Sequence, residues 1–299
     1  MEDNYYSIIK EELINLEVYR KVKDYSKNRK ELDTYYKIGK ILIEAQGGEK
    51  RAKYGNALIK EYSNKLTNEL GKGYSERSLK YMRKFYLFQK GQPVVAQLAW
   101  THFTILLSLK DYNEINYYID ECLKYNLSKR ELSQKIKLYE YQRLDDKTKN
   151  KLITKQEMNI SDFVKNPIVI KTDGRKIIEE KVLKELILEN ISDFLKELGS
   201  GFSFIDSEYK IKLGYSYNYL DLLLFNINFN CYVVIELKIT KLKKEHIGQI
   251  EFYMNYIDKN LKKISHEKTI GIIICKRENK FVIDYCSDKR IITTKYIAI

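Results

Sequence analysis

Tyr219-Leu220-Asp221-Leu222-Leu223-Leu224-Phe225 and, shortly after it, Cys231-Tyr232-Val233-Val234-Ile235-Glu236-Leu237-Lys238 are the two stretches that decide the fold. Both are runs of apolar, largely strand-forming residues, and the short polar stretch between them, centred on Asn228-Phe229, reads as a turn. Each run carries charge inside it. A charge flanked on both sides by apolar residues belongs to a buried strand, where an unpaired carboxylate costs several kcal/mol. Three such residues (Asp221, Glu236 and Lys238) in one hairpin need a reason, and a bound divalent cation supplies one.

Side chains two apart on a strand share a face, so Glu236 and Lys238 project together. Turn parity decides whether Asp221 joins them. A two-residue turn at Asn228-Phe229, or a four-residue turn centred there, sets Asp221 opposite Glu236; a three-residue turn sets it opposite Leu237, on the other face. Function requires the first register or a bulge that restores it. Two carboxylates at one place suit Mg²⁺, which prefers oxygen ligands and keeps several waters. The cation would lower the pKa of a bound water and neutralise charge on a phosphate, while Lys238 would orient the attacking water or stabilise the developing oxyanion. Glu-x-Lys is a short pattern, however, and a Glu–Lys pair that only satisfies itself at a sheet edge has the same spelling.

Outward from the hairpin, Phe202–Leu213 reads as a preceding strand, and Thr269–Cys275 and Phe281–Tyr285 as following ones. Lys244–Leu261 reads as a helix, and Lys176–Leu198 as one long amphipathic helix closed by Gly199-Ser200-Gly201. Helix, three-strand meander, helix, strand is an α/β arrangement. Before residue 160 there is almost no β-branched alternation. Helices are expected at Tyr35–Ala45, Ala57–Leu70, Glu76–Gln89 with Ser75 as N-cap and Gly91-Gln92-Pro93 as stop, and around Trp100–Leu109, Asn113–Tyr125 and Lys129–Tyr141. The polar stretch Asp145–Gln156 has no apolar periodicity, which places a domain boundary there: a helical domain over 1–155 and a second domain over 156–299.

The chain has 299 residues and a net charge of +13, and 44% of its residues are hydrophobic, a composition that suits a soluble two-domain protein. Residues 1–159 hold 31 Lys and Arg against 22 Asp and Glu, so most of the excess lies in the helical half. A basic surface attracts phosphate polyanions, although a sequence rich in Lys, Asn, Ile and Tyr throughout would be basic without that purpose. Along Glu76–Gln89, Arg77, Lys80, Arg83 and Lys84 stand among Tyr81, Phe85 and Tyr86, the pattern of a DNA-facing helix and equally of a plain amphipathic one. The four cysteines are scattered without CxxC spacing, which suits a reducing compartment and gives no zinc site. No apolar run would span a bilayer, no basic-then-apolar signal opens the chain, and the cytoplasm is the expected location. No Gly-rich phosphate loop is present, which argues against ATP hydrolysis. Trp100 and His102 read as a packed helix start and His246 as a first-turn surface histidine.

Gln249 and Tyr253 follow Lys238 on the expected helix, four residues apart and on one face. In its order Asp221…Glu236-x-Lys238…Gln249-x-x-x-Tyr253 the sequence resembles the RecB-like branch of the PD-(D/E)xK nucleases. The chain as a whole is similar to the YhcG-type nuclease family. That similarity runs through Gln46-Gly-Gly, Arg51-Ala-Lys-Tyr-Gly, Ser75-Glu-Arg-Ser-Leu-Lys-Tyr-Met-Arg, Leu98-Ala-Trp-Thr-His and Arg130-Glu-Leu, and on through Phe194-Leu-Lys-Glu-Leu-Gly-Ser-Gly-Phe, Val233-Val-Ile-Glu-Leu-Lys, Gly248-Gln and Gly271-Ile-Ile-Ile-Cys-Lys.

The resemblance implies an all-helical N-terminal domain and a restriction-endonuclease-like mixed sheet flanked by helices, with metal-dependent DNA cleavage in genome-defence or mobile-element settings. It implies Asp221, Glu236, Lys238, Gln249 and Tyr253 as the catalytic set. The ligands of Mg²⁺ or Mn²⁺ would be Asp221, Glu236, the backbone carbonyl of Leu237 and a helix glutamate. For that glutamate Glu179, Glu180, Glu185 and Glu189 compete, and Glu180 is chosen here. DNA is the expected partner, with further copies of the chain or defence-system proteins beside it. One departure is that Tyr219-Leu220 stands where the family pattern has a proline before the first acid. A catalytically silent DNA-binding or assembly subunit on the same scaffold is the alternative, against which the intact Asp221, Glu236 and Lys238 weigh.

Overall fold

Ser75 shows how local chemistry sets the first half of the chain. Its side-chain oxygen accepts the backbone N–H of Ser78 at 3.2 Å and so satisfies one of the donors that a helix start leaves free. The computed structural model describes residues 2–21, 27–48, 56–90 and 97–299. Among these, the first half is helical throughout: α1 (Glu2–Lys21), α2 (Lys27–Ala45), α3 (Asn56–Leu70), α4 (Glu76–Gln89), α5 (Trp100–Leu106), α6 (Tyr112–Tyr125) and α7 (Lys129–Lys137). The stop at Gly91-Gln92-Pro93 and the Arg51-Ala-Lys-Tyr-Gly segment lie outside the described residues. Helices α2 and α4 cross closely at Gly39, where a Cβ would meet the Met82 carbonyl oxygen at 2.1 Å, so no other residue fits. Trp100 packs against Tyr35 at a tilt and against Phe85 edge-on, with ring centroids 4.6 and 5.4 Å away. His102 bonds the Leu127 carbonyl at 3.0 Å, the packing role expected of both residues. Ser75→Ala should destabilise this helical unit by about 1 kcal/mol, read as a lower urea midpoint with an unchanged slope.

The chain divides after Lys137 into two compact units. The second, Leu138–Ile299, contains α8 (Asp146–Thr154), α9 (Ile160–Phe163), β1 (Ile168–Ile170), α10 (Glu180–Glu189), α11 (Ile191–Leu198), β2 (Phe202–Leu213), β3 (Ser216–Asn226), β4 (Cys231–Lys241), α12 (Lys244–Asn260), β5 (Ile270–Arg277), α13 (Lys280–Asp284) and β6 (Ile291–Ala298). The strands form one six-stranded mixed sheet in the order β1-β6-β5-β4-β3-β2. The pairs β2–β3 and β3–β4 are antiparallel, and the rest are parallel. Helices α10 and α11 bury Leu183, Leu186, Ile187 and Phe194 with Leu222, Leu224, Val233, Ile235 and Leu237 in one core. Helix α12 buries Ile250, Tyr253, Met254 and Ile257 with Leu220, Leu223, Val234 and Ile273 in another. At Gly271 a Cβ would strike Met254 Sδ at 2.6 Å, so glycine is what lets α12 lie against β5. A helical N-terminal region followed by a mixed sheet with helices is the expected fold class.

Four expectations need correction. The polar stretch from Asp145 holds the helix α8, capped by Asp145, whose side chain accepts from the Lys147 N–H at 2.7 Å. Thr148 alone is buried along α8, and polar bonds from Thr148 and Lys151 to Asp162, at 3.2 and 2.7 Å, hold it in the second unit, so apolar periodicity had nothing to report. The same unit takes in Arg143, which donates to the Pro167 carbonyl at 2.8 Å and pairs with Glu197. The single helix expected over Lys176–Leu198 starts at Glu180 and breaks at Asn190, whose side-chain amide donates to the Leu186 carbonyl at 3.3 Å. Phe281–Tyr285 is not a strand: Lys280–Asp284 form α13, with Phe281 and Tyr285 exposed. The last strand is β6 instead, and the three-residue β1 pairs with it.

Candidate active site

Strands β3 and β4 pair from Asn226↔Cys231 to Leu222↔Ile235 across the four-residue turn 227–230. Asn226 shapes that turn, its side-chain oxygen accepting the N–H groups of Asn228 at 3.0 Å and Phe229 at 3.2 Å. Continued by one step, this register sets Asp221 opposite Glu236, but the ladder stops there. Side-chain alternation also fails at this point: Leu220 and Leu223 both join the α12 core, whereas Leu222 and Leu224 join the other. The strands separate, and the N–H of Leu237, which a continued ladder would aim at β3 backbone, donates to Asp221 Oδ2 at 2.9 Å. The first acid therefore stands at the split in the sheet.

Glu236 and Lys238 lie on the Val234 side of β4, and Lys238 Nζ donates to Glu236 Oε1 at 2.7 Å. Lys238 also reaches Glu180, at the start of α10, at 3.4 Å. Of the four competing glutamates, Glu180 is the one that meets this pair. Glu189 pairs with Arg175, and Glu185 lies 4.0 Å from Lys181. Lys184 Nζ stands 3.7 Å from Asp221 Oδ1 and 2.6 Å from Glu208. Lys184 and Glu208 were not singled out from the sequence. A signal for Lys184 existed, because it follows Glu180 by four residues and so shares its helix face.

The electrostatics are those of acids crowded out of water. Burial, then the nearby charge of Asp221, pushes the Glu236 carboxyl up to about 7. Burial raises Asp221 as well, against the opposing effect of the Leu237 N–H. Burial alone would depress Lys238, yet Glu236 carries it above its ordinary value. Glu236 Oε2 is buried without a hydrogen-bond partner. Among the described residues no three His, Cys, Asp or Glu side chains gather within ligating reach of one point. The acids here are held by lysines instead, Lys184 on Asp221 and Lys238 on Glu236 and Glu180. An orphaned carboxylate oxygen beside a second acid is nevertheless a donor set that fits a hard divalent cation.

Gln249 Nε2 donates to the Tyr253 hydroxyl at 3.0 Å, and that hydroxyl donates to the Tyr219 carbonyl at 3.5 Å. The Tyr253 phenol is raised chiefly by burial, and it lies near enough to feel Glu236, Lys238 and Asp221. His246 caps α12, its Nδ1 accepting from the Lys243 N–H at 3.2 Å. On α4 the four basic residues have unequal freedom. Lys80 pairs with Glu76 at 2.6 Å, and Arg83 is half-buried and bonded to Gln46 at 3.1 Å. Lys84 donates to the Leu107 carbonyl at 3.0 Å, and Arg77 is exposed beside the Tyr81 hydroxyl at 3.2 Å.

Residues 161–299 match the family described as the YhcG PDDEXK nuclease domain, and residues 14–143 match the DUF1016 N-terminal domain. YhcG of Escherichia coli (strain K12) is 26% identical, with 81% of this chain and 76% of that protein covered. Among solved structures, a repair endonuclease from Pyrococcus abyssi is similar at 18% identity and a TM-score of 0.29, over 41% of this chain and 49% of its own. EndoMS bound to double-stranded DNA is similar at 17% identity and a TM-score of 0.29, over 42% and 48%. The chain thus matches about half the length of each of these solved chains.

Proposed function

As the chain belongs to the YhcG-type PDDEXK nuclease family, we propose that it hydrolyses DNA phosphodiester bonds with Mg²⁺ or Mn²⁺ held by Asp221 and Glu236. The Leu237 carbonyl and Glu180 complete the ligand set in this reading. One observation carries it: Glu236 Oε2, a buried carboxylate oxygen without a partner, sits beside Asp221 and Lys238 where β3 and β4 part. Such an oxygen is costly unless something cationic satisfies it.

A divalent cation there would supply Lewis acidity to the phosphate and acidify a bound water. The chain's own residues do the rest. Lys238, with several N–H donors, keeps one on Glu236 and turns another toward the phosphate oxygen that gains charge. Asp221 is held in place by the Leu237 N–H on Oδ2, which leaves Oδ1 for the cation. Tyr253 fixes the Gln249 amide, which orients the water or the phosphate. In this reading the helical unit that ends at Lys137 holds DNA and Leu138–Ile299 cleave it, in the cytoplasm and in a genome-defence or mobile-element setting. Among the described residues no helix is long and apolar enough to cross a membrane.

Incubating plasmid, linear and branched DNA with Mg²⁺ or Mn²⁺ tests the reading. Nicking or degradation that EDTA stops is the expected result. Binding to every form without cleavage of any would favour a silent scaffold. For the helical half, Arg77 is the basic residue on α4 most open to a phosphate. Arg77→Ala should lower affinity severalfold for all sequences alike and reduce the salt slope by about one. A salt titration of binding by the full chain checks this, and an unchanged slope removes Arg77 from the interface.

A further inference from the structure

The β2–β3 ribbon runs past the rest of the sheet. Strand β3 pairs with β2 from Ser216, but with β4 only from Leu222, so residues 208–221 form a two-stranded arm beside the candidate site. Its two faces differ. On one, Ile211 and Leu220 are fully buried in the α12 core. On the other, Lys210 stands across from Tyr219 and Lys212 across from Tyr217, with Tyr215 in the turn. The exposures of Tyr215, Tyr217 and Tyr219 are 107%, 47% and 54%. Lys210 Nζ lies 3.8 Å from the centre of the Tyr217 ring. No acidic residue occurs between Tyr209 and Leu220.

These tyrosines bury too little to support the arm, whose apolar face is already covered on the opposite side. Exposed aromatics interleaved with lysines on one face of a ribbon make a stacking surface with a matching charge for phosphate. We propose that this face of the arm docks a single strand of the DNA substrate, with Tyr217 and Tyr219 stacking on unpaired bases and Lys210 and Lys212 meeting the phosphates. A duplex keeps its base faces to itself and offers such a surface only phosphates, so the tyrosines select unpaired DNA. Tyr219 precedes Asp221 by two residues, roughly 7 Å along a strand, so a docked strand is led to the carboxylates. The substrate class this names, DNA with an unpaired stretch, rests on the nuclease reading of that site.

The test is fluorescence anisotropy of the full chain with a labelled single-stranded DNA and with the duplex of the same sequence, in EDTA. Changing Tyr217→Ala and Tyr219→Ala together should weaken single-strand binding by about tenfold or more, since each removes a ring on which a base stacks. Duplex binding should change by less than about twofold, and phenylalanine at both positions should restore single-strand affinity. Circular dichroism and thermal melting establish that each variant is folded. Unchanged single-strand affinity in the alanine variant, equal losses for both DNA forms, or no single-strand binding by the unaltered chain would overturn the proposal. Binding is read without a divalent cation, which separates the two readings. A chain that binds single strands but cleaves nothing defeats the nuclease reading and keeps this surface. A chain that cleaves while the alanine variant binds normally does the reverse.

Discussion

Asp221→Ala and Glu236→Ala should each reduce cation-dependent DNA cleavage by at least on the order of 10³-fold, with DNA affinity close to that of the unaltered chain. Each removes one of the two buried carboxylates, and the remaining acid with the Leu237 carbonyl and Glu180 holds a divalent cation too weakly to position it. The two variants should differ in stability, and the difference is diagnostic. Glu236→Ala deletes a buried carboxylate with one unpartnered oxygen, raised by burial and by Asp221. Its loss relieves desolvation and leaves Lys238 with Glu180, so the cation-free protein should be as stable as before or more so. Asp221→Ala instead strips the Leu237 N–H of its acceptor, at a cost of about 1–3 kcal/mol. Asp221→Asn keeps that acceptor and should lose activity without losing stability. Single-turnover cleavage in Mg²⁺ and thermal melting in EDTA read the two effects separately. Cleavage at the unaltered rate by either alanine variant removes that residue from the site.

Much of this arrangement was legible in the sequence because it is carried by local rules. Asp221, Glu236 and Lys238 stand out as charges in apolar strands, and the four-residue turn at 227–230 gives an even count that the ladder keeps as far as Leu222↔Ile235, one step short of 221 and 236. Ser75 announces α4, and helical spacing places Gln249 and Tyr253 on one face of α12. What stayed hidden depends on tertiary approach or on polar contacts. Lys184 meets Asp221 only because α10 lies over the split, and Glu208 enters because an irregular stretch of β2, where Glu208 has φ 53°, comes close to that lysine. Helix α8 is polar on nearly every side, so no apolar stripe marked it. The break at Asn190, whose side-chain amide donates to the Leu186 carbonyl, is not something apolar periodicity registers. The run 281–285 is too short to separate strand from helix by pattern, and in the fold it belongs to a helical turn with Phe281 and Tyr285 exposed.

Lys238→Ala should slow cleavage by on the order of 10²-fold or more while leaving the cation dependence of the rate nearly unchanged. Lys238 ligates nothing in this reading, so the concentration of Mg²⁺ giving half-maximal rate should shift little. What is lost is a donor for the oxygen that gains charge, a contact worth most in the transition state. The same substitution has a structural consequence that a surface lysine would lack. Lys238 is largely buried and holds Glu236 at 2.7 Å and Glu180 at 3.4 Å. Removing it leaves Glu236 buried beside Asp221 with no cationic partner, a destabilising state for a charged pair. The variant should therefore melt lower than the unaltered chain in EDTA and gain about as much stability from Mg²⁺ as the unaltered chain does, since a ligand that binds the folded form stabilises it according to an affinity that Lys238 does not set. Lys238→Met separates packing from charge: it should repeat the rate defect and the gain from Mg²⁺ with less loss of core contact. Turnover that survives both substitutions would place Lys238 outside the catalytic set and reduce its pairing with Glu236 to neutralisation of a buried acid.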